Sequence, residues 1–212
     1  MEIAGGILAG ILETVSVYLI WKKYNIFESD CGKYKKTIIF ILLALASVFL
    51  SVMLLCRNYA MVTCVNFMVL YTILASVAGI DFKTKTIPNK ILLTGLIIRI
   101  LLISVEAVFF SDGIKQTFIN SGIGFAFGLI FMLFLSIISK HGIGYGDVKL
   151  FAWIGLCVGL LDTYNILFYS VLVAAVAGIY LLVIKNKSKK MQLPFAPFVF
   201  IGTYIVLCLN ML

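Results

Sequence analysis

Residues 61–81 read MVTCVNFMVLYTILASVAGID, and their first twenty positions carry no charged side chain. About 20 apolar residues are what an α-helix needs to cross the hydrocarbon core of a bilayer. The run ends on the carboxylate of Asp81, and an ionisable group near hydrocarbon is costly enough to mark a candidate functional site. This stretch therefore predicts a membrane-spanning helix with a functional residue at its end.

The rest of the chain has the same character. It is 63% hydrophobic and 12% charged, with a mean hydropathy of +1.14, whereas soluble domains carry about 25% charged residues. The apolar runs are too long for barrel strands and lack their alternation. We therefore predict an all-α polytopic transmembrane helix bundle in which residues 1–212 form a single integral-membrane domain. About eight spans are expected, near 3–21, 37–55, 61–80, 88–110, 117–139, 147–161, 164–184 and 193–211.

The positions of lysine and arginine predict the orientation, because cytoplasmic loops are enriched in both. One alternate set of loops holds 14 of the 17 basic residues, and the other set holds two. The first set is Lys22, Lys23, Lys33, Lys35, Lys36, Lys83, Lys85, Lys90, Lys140, Lys149, Lys185, Lys187, Lys189 and Lys190; the second is Arg57 and Lys115. We expect a plasma-membrane protein with both termini outside. The net charge of +8 then reflects this topology and contact with the lipid bilayer, not nucleic-acid binding.

Asp81 stands at the cytoplasmic end of its span in this topology. One interpretation is an interfacial charge paired with Lys83 or Lys85, which alone contributes little. Pro88, a few residues later, fits the first turn of the next helix, where its missing N–H is not needed. Asn89 beside it has an amide that can orient the loop or satisfy a carbonyl.

A second carboxylate, Asp147, lies on the same side of the membrane in this topology. Gly142, Gly144 and Gly146 alternate before it, which predicts a backbone that adopts conformations other residues resist. Aspartate is also a favoured N-cap, so Asp147 could simply begin the sixth helix. Lys149 could pair with either carboxylate or mark the cytoplasmic edge.

Two carboxylates on one side of a membrane suggest a pair that shares a proton. Like charges at short range do not both ionise easily, and such a pair can activate water as aspartyl proteases do. A hard divalent cation would want six or more oxygen ligands, and the other acidic residues are scattered; we predict no metal and no cofactor. The single histidine, His141, has no serine or cysteine motif beside it and is interpreted as interfacial.

Other polar residues within the spans are interpreted as structural. Glu13, Arg99 and Glu106 lie inside apolar runs, where charged groups usually find polar partners. The five cysteines form no C-x-x-C pair, so a zinc site is not supported. Cys56 and Cys64 flank a short outer loop and could pair there, although spacing does not establish the geometry.

Taken in order, the motifs resemble those of a known family. In chain order they are an aspartate at a helix end, Ile87-Pro88-Asn89, Gly144-Tyr145-Gly146-Asp147-Val148-Lys149 and Pro194-Phe195-Ala196-Pro197. This combination resembles the motifs of the type IV prepilin leader peptidases, a branch of the Gly-x-Gly-Asp intramembrane aspartyl proteases. The resemblance implies that Asp81 and Asp147 are the catalytic dyad and that Gly144, Gly146, Lys149, Pro88 and Asn89 support it. It also implies cleavage of basic leaders from prepilins or pseudopilins at the cytoplasmic membrane face. The proline-flanked segment would shape a helix entry or line the substrate groove.

One departure from the family concerns the loop at 22–36. Longer members carry a cytoplasmic insert there with paired C-x-x-C motifs, associated with N-methylation of the trimmed pilin, and here the loop holds Cys31 alone. We therefore expect a peptidase without N-methyltransferase activity or need for S-adenosylmethionine. The pilus or secretion system and the oligomeric state are not predicted.

Two other classes share part of the pattern. Signal-peptide-peptidase-like and presenilin-like proteases contain Gly-x-Gly-Asp, but they usually place the first aspartate inside a span, next to tyrosine. A proton- or ion-coupled transporter could use the carboxylates and glycine-broken helices, but it should show inverted repeats, and no convincing internal similarity is present.

Overall fold

The computed structural model describes residues 2–26, 33–57, 59–109, 114–139, 143–183 and 193–211. Within these ranges every regular element is an α-helix, as predicted. The helices are α1 (Glu2–Lys23), α2 (Lys33–Cys56), α3 (Met61–Thr84), α4 (Asn89–Phe109), α5 (Ile114–Ile138), α6 (Tyr145–Val158), α7 (Leu160–Val183) and α8 (Ala196–Met211).

The eight helices correspond to the eight predicted segments, but they differ in length. Six are long and apolar enough to cross a membrane, and the protein is a multi-pass membrane protein. Helices α6 and α8 have 14 and 16 residues, fewer than the roughly 20 of a full span. The break between α6 and α7 was expected at Asp162 and Thr163 but falls at Gly159. Gly159 has φ +84°, which glycine adopts without steric cost.

Helix α3 lies at the centre of the bundle. Half of its 24 residues are buried, and it packs against α1, α4 and α8. One side of the core contains Leu74, Phe151 and Ile154; the other contains Trp21 and Leu50. The neighbouring helices therefore pack around α3.

Close helix packing depends on small residues, as expected where lipid gives no hydrophobic drive for helix association. A Cβ atom on Gly10 would lie 2.6 Å from the Cα of Val48, so α1 and α2 touch backbone to backbone there. A Cβ on Gly155 would lie 2.1 Å from the carbonyl oxygen of Gly124, which joins α5 to α6 equally closely. The second contact fixes the C-terminal part of α6 directly against α5.

The buried charges have the polar partners expected of them. Glu13 accepts a hydrogen bond of 3.1 Å from Ser51, and Arg99 lies 3.5 Å from Glu106. Within the described ranges, Cys56 and Cys64 are free thiols, so the disulfide considered above is not formed.

Candidate active site

Asp81 lies inside the last turns of α3. The helix continues past the predicted boundary at Ile80 and ends at Thr84. Lys85 then adopts a left-handed conformation, φ 53°, and its N–H donates a 2.8 Å hydrogen bond to the carbonyl of Asp81. Asp81 is only 5% exposed. Its side chain is therefore held within the bundle and not at its surface.

The carboxylate of Asp81 is bound by the start of α8. The backbone N–H of Ala196, the first residue of that helix, donates a buried hydrogen bond of 3.0 Å to its Oδ2. The first N–H groups of a helix have no partner within the helix, and that end carries partial positive charge. This contact therefore stabilises negative charge on Asp81.

Lysine does not pair with Asp81 as one interpretation predicted. Lys83 instead donates to the backbone carbonyl of Asn25, which follows α1. No ion pair joins Asp81 to Lys83 or Lys85 in the described part of the chain, so that interpretation was wrong. The reason is geometric, because Lys83 is exposed while Asp81 is buried.

Asp147 lies in the first turn of α6. Gly144 is the N-cap residue, and the backbone N–H of Asp147 donates to the carbonyl of Gly144 over 3.0 Å. The alternative that Asp147 is itself the N-cap is therefore wrong. Its carboxylate is at the third helical position, where the positive end of the helix favours an acidic side chain.

Gly146 is required for a close contact and not for an unusual backbone conformation. Gly144 has φ −70°, which any residue adopts, and Gly146 is within α6. A Cβ added at Gly146 would lie 3.0 Å from the Cβ of Ile87. The glycine therefore allows the loop before α4 to approach the first turn of α6.

Pro88, Asn89 and Lys149 complete this junction. The carbonyl of Pro88 accepts the N–H groups of Ile91 and Leu92 at the start of α4. Lys149 donates a 3.1 Å hydrogen bond to the side-chain carbonyl of Asn89. Lys149 thus joins α6 to α4 through the side-chain amide of Asn89. The sequence interpretations of Lys149, as a partner of a carboxylate or as a residue at the cytoplasmic edge, did not include this contact.

These contacts bring two motifs from distant parts of the sequence together. Burial raises the pKa of Asp147 to about 6, and the negative charge of Asp81 acts in the same direction, while the backbone of Gly144 opposes both. One carboxylate thus influences the ionisation of the other, as expected of a pair with coupled titration. The arrangement can hold one carboxylate ionised and the other protonated up to a pH of about 6.

The described residues contain no group of three or more His, Cys, Asp or Glu side chains that could hold a metal ion. His141, Gly142 and Cys31, which figured in the sequence interpretation, lie outside the described residues.

Sequence reasoning missed two parts of this site. The Ala196 N–H was missed because a backbone donor has no side-chain signature; its only signal was the pair of prolines, Pro194 and Pro197. Asn66 and Arg99, which bind the far end of α6, were also not assigned a role at the site. Their signal was a strongly polar side chain within an apolar run.

Comparisons with known proteins agree with the motifs. The sequence model of the type IV leader peptidase family matches residues 68–179. Similar proteins include a prepilin leader peptidase/N-methyltransferase from Xanthomonas campestris pv. campestris, 29% identical over 65% of this chain and 47% of the relative. Proteins of the same name from Bacillus subtilis and Legionella pneumophila are 35% and 32% identical, over 39% and 64% of this chain and 34% and 46% of theirs.

The chain thus spans less than half of the length of these relatives. No solved structure matches it. The family match includes both Asp81 and Asp147 but ends before α8.

Proposed function

The chain belongs to the type IV leader peptidase family, and on that premise we propose that it is a membrane aspartyl endopeptidase. Its substrates are prepilins or pseudopilins, from which it removes a basic leader peptide. The observation that carries the proposal is that Asp81 and Asp147, which come from two separate motifs, lie near enough for the charge of Asp81 to raise the pKa of Asp147. Aspartyl proteases use such a pair to activate water.

The surroundings of the two carboxylates suggest their roles. Both carboxylates lie at the positive end of a helix, but Asp81 also accepts a direct hydrogen bond from the Ala196 N–H, so we assign Asp81 as the general base. Asp147, with a pKa of about 6, holds the shared proton and donates a hydrogen bond to the scissile carbonyl oxygen.

In this mechanism Asp81 takes a proton from water as the water oxygen bonds to the carbonyl carbon, and Asp147 gives its proton to the carbonyl oxygen. When the carbon–nitrogen bond breaks, Asp81 gives its proton to the leaving amine. Asp147 recovers a proton from the hydroxyl as the new carboxyl group forms.

Cleavage at the cytoplasmic face of the plasma membrane is part of the proposal. Helices α1 and α3 end, and α4 and α6 begin, beside Asp81 and Asp147. The lysines there include Lys22, Lys23, Lys83, Lys85, Lys90 and Lys149, whereas Arg57 and Lys115 are at the opposite end. An excess of lysine is typical of the cytoplasmic side. Both termini are then outside.

We further propose that the enzyme does not N-methylate its product. The support is the short connection between α1 and α2, which has nine residues between Lys23 and Lys33. This is too few for a folded catalytic domain, since domains below about 40 residues usually need additional stabilisation.

The experiment that tests the proposal is cleavage of a co-expressed prepilin with a basic leader, read by mass spectrometry of the new N-terminus. Wild type should give a trimmed, unmethylated product, while Asp81→Asn and Asp147→Asn should each lose cleavage and still insert in the membrane. Asp162→Asn, an aspartate at the other end of the bundle, is the matched control. Retained cleavage in either dyad variant would refute the assignment, and a methylated product would refute the second proposal.

A further inference from the structure

The last turn of α6 is buried, although the helix is short. Its 14 residues span about 21 Å at 1.5 Å per residue, which is shorter than the hydrocarbon core. Cys157, in its last turn, is 6% exposed. The last carbonyl groups of a helix have no partner within that helix, and leaving them unpaired in an apolar interior is costly.

The last carbonyls of α6 are bound by donors on neighbouring elements. Asn66 Nδ2 donates to the Cys157 carbonyl over 2.9 Å, and Arg99 Nε donates to the Leu156 carbonyl over 3.1 Å. The Gly155 carbonyl accepts from the Gly159 N–H at 2.9 Å. Asn66 belongs to α3 and Arg99 to α4, so these bonds join the end of α6 to two other helices.

A third helix completes this arrangement. Asn120 of α5 accepts a hydrogen bond of 3.4 Å from the Leu160 N–H through its Oδ1. A Cβ at Gly159 would lie 2.6 Å from the Nδ2 of Asn120, so the glycine is needed for this approach as well as for its φ of +84°. We call Asn66, Arg99 and Asn120 the α6 anchor.

The arginine of the α6 anchor is itself held in place. Its Nη2 donates to Ser121 over 3.3 Å, and its Nη1 lies 3.5 Å from Glu106. Arg99 is 4% exposed, and a positive charge there also matches the negative end of the α6 dipole. A buried, multiply bonded guanidinium fixes position more firmly than a surface lysine would.

The same helices contact α6 at its other end. Helix α3 carries Asp81, whose charge acts on Asp147, and α4 begins with Asn89, which binds Lys149. Because an α-helix is stiff along its axis, a donor at one end determines where the other end lies. We propose that Asn66 and Arg99 are positioning residues that set the axial position of α6 and hence the position of Asp147 against Asp81.

This inference rests on the proposed function, because it assumes that Asp81 and Asp147 act as a pair. The distances involved are small. A slide of α6 by one residue moves Asp147 by about 1.5 Å, and misplacement by about 1 Å can cost on the order of 100-fold in rate. The α6 anchor lies at the opposite end of α6 from the chemistry, so it cannot touch the reacting atoms.

The test is Asn66→Leu, which keeps the branched shape of the side chain but removes the amide donor. We expect kcat for prepilin cleavage to fall by on the order of tenfold or more, while KM stays near the wild-type value. The alkaline limb of the pH profile should also move to lower pH, because Asp147 loses the influence of Asp81. Asn66→Gln, which restores an amide donor, should recover part of kcat.

Tyr71→Phe is the matched control. It removes one hydrogen bond, of 3.0 Å, from α3 to a carbonyl of another helix, Leu43 on α2, without involving α6. Its kcat and pH profile should remain wild type. Equal losses in Asn66→Leu and Tyr71→Phe, or wild-type kcat in Asn66→Leu, would overturn the inference. If Asn66→Leu does not accumulate in the membrane, Asn120→Ala, at an exposed position, is tested instead. It should lower kcat by a smaller factor and shift the pH profile in the same direction. A wild-type kcat in Asn120→Ala would then overturn the inference.

A second measurement reports on the position of the first turn of α6 and does not depend on catalysis. Ile87→Cys and Gly146→Cys, in a background without the native cysteines, would place two Cβ atoms 3.0 Å apart, slightly less than the usual Cβ–Cβ distance of a disulfide, so the rate of disulfide formation is sensitive to small shifts of α6. This rate should change when Asn66→Leu is added and be unaffected by Tyr71→Phe. An unchanged rate overturns the positioning role even if the dyad variants are inactive. A changed rate together with active dyad variants supports the positioning role of the α6 anchor and refutes only the proposed dyad.

Discussion

The backbone N–H of Ala196 donates a 3.0 Å hydrogen bond to Oδ2 of Asp81, joining residues 115 positions apart in the chain. Because Ala196 is the first residue of α8, the contact combines a hydrogen bond with the positive end of a helix. A single carboxylate thereby fixes where α8 begins against α3. The proline-flanked segment near the C-terminus is thus part of the candidate site.

Removal of this N–H should impair cleavage. Ala196→Pro deletes the donor but keeps the helix, because proline is accepted at the first helical position. A hydrogen bond to a charged group contributes about 1.5–3 kcal/mol, so we expect kcat/KM to fall by about tenfold or more. Steady-state cleavage in detergent measures it.

The control for this substitution is Ala196→Val, which adds a similar volume at a fully buried position but retains the N–H. Overpacking alone would lower the amount of folded enzyme in both variants. Equal specific activities of the two variants would show that the hydrogen bond itself has no catalytic effect.

The pH dependence of cleavage should reflect the shared proton. Asp147 has a pKa of about 6 and must be protonated in the proposed mechanism, so kcat/KM should decline as the pH rises through about 6. Bound substrate excludes further water and disfavours the charged form of Asp147. The decline in kcat should therefore lie at higher pH than the decline in kcat/KM. A kcat/KM that is constant from pH 5 to pH 8 would contradict this assignment of roles.

Asp147 should also lower stability at neutral pH. Its pKa is raised in the folded protein, so the folded state binds a proton more tightly than the unfolded state, and stability falls as pH rises from about 4 to about 6. Asp147→Asn removes this cost and should stabilise the protein by about 1–2 kcal/mol at pH 8. Thermal unfolding in detergent should show the gain at pH 8 and none at pH 4. A gain of equal size at both pH values would exclude ionisation as its cause.

The helical bundle and the two aspartates follow from the sequence because each has a local signal. Long apolar runs predict helices, and a carboxylate at the edge of such a run is conspicuous. The shortness of α6 and the break at Gly159 have no such signal. Polar groups from other helices bind the last carbonyls of α6, and an apolar run does not show where such a helix ends. The bonds from Asn66 to Cys157 and from Ala196 to Asp81 depend on tertiary packing, and neither could be predicted from spacing.

The contact between Gly146 and Ile87 gives a final prediction. An alanine Cβ at Gly146 would lie 3.0 Å from the Cβ of Ile87, so α6 and the loop before α4 must separate by a few tenths of an ångström. Asp147 is the next residue, and Gly146→Ala should therefore lower kcat several-fold. Ile87→Gly in the same chain should restore much of the activity, because it removes the Cβ that the new alanine meets. Gly122→Ala, where a Cβ meets nothing within 4 Å, should behave as wild type. If the double variant is no more active than Gly146→Ala, steric separation at this junction is not the cause, and the conformational freedom of Gly146 must matter instead.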